Sequence, residues 1–410
     1  SLECDRDTTP FLKEFASENF YHDNHFSNAP ASPMSFRNIF SSTYPKEFID
    51  NEYLSEHRPY LPEILSEEGV KTIGLTTNPY VSTSYGFERG YDIFDDTVVQ
   101  GLDTKERKFF DRIKSGLKAA LRKLPLKNTL RVIRDRFRGR STPYMEAEDV
   151  TERAKNLIET EDADGDSFYW FHYMDPHSPF MPPEETYGKW NDFGSRREAW
   201  KAIENDDEGV IDLYDECVLY MDRYLGELVK FIEQKFEDEE YEILITSDHG
   251  ELFAIDDHKF TGHPEILEQK LFEVPLFMKN SPSRKDFSTH TDIAPTVLDF
   301  FDLDIPDEMH GKSLYSSEKE YDFIHSHPMD WEEMTDEEKE ARAGKITRQG
   351  IEETASLMGS VSEDLGNKLK EHVEMIDYSP EGEENSEKSG LSEEEEEKVK
   401  ENLRQLGYDE

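Results

Sequence analysis

The segment Tyr241–Phe253, YEILITSDHGELF, runs as an apolar strand to Thr246 and then presents Asp248, His249 and Gly250. A carboxylate beside an imidazole at a strand end suits a hard or borderline divalent cation. In open α/β sheets, ligands sit outside the carboxyl ends of the strands, which is where this pair falls. Gly250 is expected to turn the chain away from the pair. Two further histidines stand in loops and not on an apolar periodic face. His263 lies in TGHPEILEQKLFEVPL and His177 in MDPHSPF, both beside glycine or proline. One such histidine is usually incidental. Several that follow strand-like segments point to convergence on one pocket, where a metal and imidazoles act on the same substrate.

The elements that must position these residues alternate in type. The spacing predicts a buried strand over Tyr241–Thr246, an aromatic strand over Phe168–Tyr173 and a strand over Lys71–Thr76. VPLFMK reads as another short strand. Helices are predicted over Tyr60–Glu68, with Gly69 as its stop, and over Gly209–Glu237. The second carries Ile211, Tyr214, Val218, Met221, Leu225 and Leu228 at three- and four-residue steps. HTDIAPTVLDFFDL reads as a helix with Asp292 as its cap and Pro295 in its first turn. Strands alternating with helices predict an α/β sandwich around a mostly parallel central sheet.

The chain has 410 residues, with 47 Lys and Arg against 93 Asp and Glu, a formal net charge of −46. Such a surface repels nucleic acid and anionic membranes. With 26 Phe and 19 Tyr the chain has the means to build a core. Acid spread along most of its length reads as a halophilic surface, adapted to concentrated salt, where screening weakens self-repulsion. Two cysteines, Cys4 and Cys217, make neither a disulfide framework nor a thiolate zinc site. No apolar run is long enough for a membrane span, and no signal peptide is visible. A cytoplasmic location is the expectation, with a signal or anchor upstream of Ser1 left open.

Two segments stand apart from the expected catalytic domain, residues 1–316. Lys105–Arg140 is basic, with 14 Lys and Arg against 3 Asp and Glu. It reads as helices broken near Pro125, serving either as a surface-docking arm for an anionic partner or as an insertion packed on the acidic body. Residues 317–410 form an acidic extension. Its terminal helix opens on a capping box, Ser392 with Glu395.

SDHGELF, TGH followed by VPLF, HYMDPHSPF, THTDIAPTVLDFF and HGKSL occur here in one order and spacing. In these pieces, and in the opening SLECDRDTTPFL, the chain resembles the sulfatase branch of the alkaline phosphatase superfamily, from Ser1 to about Leu314. The resemblance implies an alkaline-phosphatase-like sandwich with helices on both faces. It implies a hydrolase of sulfate esters that uses a divalent metal, Ca or Mg first and Mn or Zn next. Its partners would be a sulfated or phosphorylated small molecule or glycan. Asp248 and His249 match two metal ligands, and Ser32 matches the nucleophile. His263 matches a residue that grips the ester oxygens. His177 matches a histidine that contacts the transferred group and can protonate the leaving oxygen.

The chain departs from the family pattern at four places. The leading metal-binding Asp would stand immediately before Ser1, and Asp5 is the nearby carboxylate that can substitute for it. Conversion to formylglycine needs Cys/Ser-x-Pro-x-Arg, whereas the matching residues are Ser32-Pro33-Met34-Ser35-Phe36, with Arg37 one place late. Ser32 is therefore expected to act as a hydroxyl, with Arg37 a candidate substrate contact. The family's Gly-Lys-Trp-His grip is replaced by Thr76-Thr77-Asn78-Pro79, which loses both cations and leaves Asn78 as a hydrogen-bonding candidate. Glu3 stands where arginine is usual. These departures leave room for phosphodiester or phosphonate hydrolysis, for phosphoglycerol or phosphoethanolamine transfer, or for glycan binding without turnover on the same scaffold.

Overall fold

The computed structural model describes residues 6–44, 54, 58–96, 144–161, 165–254, 261–263, 267–283, 286–315, 319, 321–325, 343–347 and 350–354. The basic segment 105–140 and the C-terminal helix lie outside the described residues.

The central ladder is parallel. Strand β3 (Lys71–Leu75) pairs with β4 (Ile93–Asp95) on one side and β5 (Ser167–Phe171) on the other. Strand β5 is aromatic on both faces because both are covered. Phe168 and Trp170 pack with Phe36, Phe40, Leu61, Leu65 and Leu298. These come from helices α2 (Ser32–Ser41), α3 (Leu61–Glu67) and α8 (Ile293–Phe300). Tyr169 and Phe171 pack on the opposite side with Val150, Ala154, Ile158 and Leu228, from α4 (Ala147–Thr160) and α6 (Val210–Lys235). Alternation at period two thus places helices on both faces, as expected for this sandwich.

The sheet is less parallel than the sequence predicts. Strand β6 (Leu244–Thr246) pairs antiparallel with β7 (Leu276–Met278), which pairs antiparallel with β1 (Phe20–His22). Strand β6 is also half-buried, not buried. A two-strand parallel ladder, β2 (His25–Phe26) with β8 (Ser288–Thr289), completes the region around the candidate site, and the shorter helices α5 (Arg196–Glu204) and α7 (Gln269–Phe272) stand between β5 and β7 along the chain.

Buried charge ties the N-terminal segment down. Helix α1 (Pro10–Glu18) has no side-chain cap of its own. Its Phe11 and Leu12 N–H groups donate instead to Asp222, at 2.8 and 3.0 Å, from the middle of α6. On the same helix, the carboxylate of fully buried Glu216 accepts from the backbone N–H of Gly188, Trp190 and Asn191 and from the Asn191 amide, at 2.6–3.1 Å.

A second knot lies past residue 316. Lys319 Nζ reaches Asp322 at 2.7 Å and Asp292 at 3.0 Å. Asp322 also accepts from Asn28, Thr289, Thr291 and Tyr44. Burial would raise the Asp322 carboxyl, but the Lys319 charge and these donors hold it well below the usual range. A carboxyl depressed in the fold stabilises above its unfolded pKa, about 4, and that stability is lost as pH falls through the folded pKa. Lys319→Met would leave the buried Asp322 carboxylate without its cation. The expected loss in unfolding free energy at pH 7 is about 3–5 kcal/mol. Denaturant titration should show a smaller loss below about pH 4, where the Asp322 carboxyl protonates at less cost.

Candidate active site

Ser32 is brought to the site as the first residue of α2, after an extended Ala31 and before Pro33. Its hydroxyl lies at the positive end of the helix, where backbone N–H groups have no intrahelical acceptor. Asp248 and His249 follow β6 directly. The Ser32 Oγ–H donates to Asp248 Oδ2 at 2.5 Å, and Ser32 Oγ lies 3.4 Å from His249 Nε2. His249 Nε2 lies 3.5 Å from the same carboxylate oxygen. Three potential ligand atoms from two distant parts of the chain therefore face one point.

Gly250 is required there, but for a different reason from the expected turn. The Gly250 N–H donates to Leu271 O at 2.9 Å. A Cβ at residue 250 would lie 1.9 Å from Lys270 O. The position needs glycine because another backbone passes against it.

The remaining histidines converge as the sequence predicts. Leu252 and Gly262 exchange backbone hydrogen bonds at 3.0 Å, which folds His263 back over the pair. Its ring centroid lies 4.3 Å from that of His249 and 6.0 Å from that of His177. His177 is held in a turn by its N–H to Met174 O and by the Tyr144 hydroxyl on its carbonyl, both at 2.9 Å.

The ring protons follow from local acceptors. His249 Nδ1–H donates to Gly250 O at 2.8 Å, and His177 Nδ1–H donates to Ser178 O at 2.6 Å. In each ring Nε2 is then the acceptor nitrogen. Burial lowers the pKa of His177 and takes that of His263 well below the usual histidine value, with His249 adding to both. Burial would raise the Asp248 carboxyl, but the His249 and His172 imidazoles and the Ser32 hydroxyl hold it well below the carboxylate range. The Glu251 carboxyl is pushed up to about 8 by burial and then by Asp248.

The two expected substrate contacts stand on different elements, Asn78 in the loop after β3 and Arg37 on α2. The Asn78 side chain accepts from the Tyr80 N–H at 2.9 Å, and its fully buried Nδ2 has no hydrogen-bond partner among the described residues. Arg37 is buried on α2. Five residues beyond Ser32, it is rotated about 140° around the helix axis from it. Asp5 lies outside the described residues.

Two histidines at the site escaped sequence reasoning. His290 Nε2–H donates to Ser247 O at 3.0 Å and so braces the peptide before Asp248. His172 follows β5 and stands beside Thr76. Its only signal was an imidazole closing the alternating face of Phe168 and Trp170.

Asp248 and the free lone pair of His249 form a donor set that suits a divalent cation. Among the described residues, no group of three or more His, Cys, Asp or Glu is arranged to hold one. Further ligands would have to come from residues such as Asp5.

The family model described as Sulfatase matches residues 2–303. The chain belongs to the sulfatase family. Its fold is similar to that of an alkaline phosphatase superfamily protein from Vibrio parahaemolyticus, with a TM-score of 0.57 at 13% identity, covering 90% of this chain and 81% of that one. It is also similar to a protein solved with its substrate D-glucosamine-2-N,6-O-disulfate, with a TM-score of 0.56 at 14% identity, covering 97% and 93% of the two chains. A phosphonate monoester hydrolase from Silicibacter pomeroyi aligns with a TM-score of 0.53 at 16% identity, over 90% and 89%. A curated relative, the 2,3-bisphosphoglycerate-independent phosphoglycerate mutase of Antithamnion sp., is 31% identical over 112 residues, 25% of this chain. The chain spans about a fifth (19%) of that relative's length. Among the described residues, no helix is long and apolar enough to cross a membrane.

Proposed function

We propose that this protein is a metal-dependent hydrolase of sulfate esters in which Ser32 is the nucleophile. The reading rests on one observation, the convergence of Ser32 Oγ, Asp248 Oδ2 and His249 Nε2 within 3.5 Å of one another. Asp248 and His249 would hold a divalent cation, Mg or Ca, which when bound would lower the hydroxyl pKa and neutralise the ester's equatorial oxygens.

The chain's own groups account for the rest. The N-terminus of α2 favours negative charge developing on Ser32 Oγ. Asp248 Oδ2 already accepts the hydroxyl hydrogen and aligns the oxygen. His177 cannot serve as an acid in its resting form, because its one ring proton is committed to Ser178 O. To protonate the leaving oxygen it would first have to take up a proton from water on Nε2. His263, packed between His249 and His177, is placed to hold the transferred group.

The test is turnover of an aryl sulfate, an aryl phosphate monoester and an aryl phosphodiester by the metal-loaded, full-length protein in high salt. Sulfate turnover supports the reading. Diester turnover alone would move the protein to phosphorus chemistry, a second reading favoured by the loss of both cations at residues 76–79. Binding of sulfated glycans with no turnover of any ester would favour a non-catalytic member. His263→Ala is expected to lower kcat by about 100-fold with metal affinity retained. A matching loss of metal by calorimetry would make His263 a ligand.

A further inference from the structure

The loop after β3 holds no cation where the sulfatase pattern has two, yet its surroundings are built to donate. His172 lies directly across from this loop, because the parallel register that pairs Leu75 with Phe171 continues with the His172 N–H donating to Leu75 O at 2.9 Å. The imidazole packs edge-on against Phe36 at 4.7 Å between centroids and stacks on Trp170 at 5.8 Å. Phe36 is one turn along the helix that begins at Ser32. The negative charge of Asp248 acts on His172, so the ring stands within the field of the site.

A chain of hydrogen bonds reaches the ring. The Asn78 N–H donates to Thr76 Oγ1 at 3.1 Å, and Thr76 Oγ1 lies 3.4 Å from His172 Nδ1. A Thr76 hydroxyl that donates to Nδ1 places the ring proton on Nε2, for which no acceptor stands among the described residues. His249 and His177 are the reverse, with their ring protons on Nδ1. The buried, unpartnered Nδ2 of Asn78 belongs to the same loop.

We propose that His172 Nε2–H, with Asn78 Nδ2, donates to the non-bridging oxygens of the ester and takes the place of the missing cationic grip. The proposal rests on the hydrolase reading for its substrate class. Burial keeps the His172 ring neutral at pH 7, with a pKa of about 4. A neutral donor supplies directionality without a second positive charge. That suits a singly charged group, a sulfate monoester or a phosphodiester, better than a dianionic phosphate monoester.

The experiment compares wild type, His172→Phe and His172→Gln in the metal-loaded, full-length protein. Phenylalanine keeps the stacking on Phe36 and Trp170 and removes the donor. Glutamine places an amide N–H near the position of Nε2. Turnover of the three aryl esters is read as kcat and KM, and inorganic sulfate binding is read by calorimetry. His172→Phe should lower kcat/KM by about 30–100-fold on every ester that wild type turns over. It should also weaken sulfate binding at least 10-fold, with metal content and melting temperature unchanged, and glutamine should restore much of both. Equal kcat/KM and equal sulfate affinity in wild type and His172→Phe would overturn the proposal and leave the hydrolase reading intact. If wild type turns over no ester, that reading fails by itself, and sulfate affinity alone decides the role of His172. Absence of sulfate binding by wild type would then overturn it. Failure of glutamine to rescue, with a lowered melting temperature in both variants, would reduce His172 to a packing residue and overturn it as well.

Discussion

Ser32→Ala is expected to lower kcat by about 10³–10⁶-fold on the ester that wild type hydrolyses best, the range found when a covalent nucleophile is removed. The fold should survive. Ser32 is 1% exposed, so the substitution deletes one oxygen and strands one carboxylate oxygen of Asp248. That costs about 1–3 kcal/mol at most before metal is added. Circular dichroism and metal content should therefore match wild type while the burst of product disappears. Unchanged turnover would remove Ser32 from the reaction. The next places to look would be water activated at the same site or a residue outside the described segments.

Asp248→Asn should act on metal before it acts on chemistry. The side chain keeps its shape, and its amide can still hydrogen-bond the Ser32 hydroxyl, but the negative charge facing His249 Nε2 is lost. Loss of hydrogen bonds around a metal ligand already costs 10- to 100-fold in affinity, and loss of a ligand charge costs at least as much. Metal affinity is expected to fall by about 100-fold or more, with turnover falling in parallel and partly recovering at high metal concentration. Calorimetry with Mg, Ca, Mn and Zn reads this directly. Full metal affinity in the variant would show that the cation is held elsewhere, and Asp248 would be left as an aligner of the hydroxyl alone.

Much of the site was legible because its residues sit at the ends of strongly patterned segments. SDHG follows an apolar run, DPH follows an aromatic run, and each marks a strand end before any fold is known. What escaped notice depends on what lies across space. His172 reads as one more residue of an aromatic strand, and its role appears only when parallel pairing sets it beside Thr76. Of the stripe expected on α6, Val218 and Leu228 are buried and Ile211, Tyr214, Met221 and Leu225 are half-buried, whereas Val210, Leu213, Cys217, Tyr220 and Tyr224 are buried together with Glu216 and Asp222. A helix that packs on several sides and carries buried carboxylates has no single apolar face to read. Asp292 stands at the N-cap position of α8 as expected, but its side chain caps no N–H there and is instead the far half of a capping box on the preceding turn. Thr289 caps, and the Asp292 carboxylate accepts from the Thr289 N–H at 2.9 Å. Pairing direction around β7 was likewise hidden, because a short apolar strand looks the same in either orientation.

The N-terminal anchoring has a consequence for how the protein is made. Helix α1 is capped by Asp222, β1 pairs with Leu276–Met278, and α2 packs against His290–Asp292 and α8. Helix α1, β1 and Ser32 thus find partners more than 170 positions further along the chain. At about 5–20 residues per second of synthesis, the nucleophile-bearing segment leaves the ribosome on the order of ten to fifty seconds before its partners exist. Leu12 and Phe15, buried in the finished fold with Val229 and Phe277, stay uncovered through that interval. Expression of this protein should accordingly be sensitive to elongation rate and to chaperones that hold early apolar segments. A ribosome stalled near residue 200 would display the serine with neither of the groups that give it chemistry.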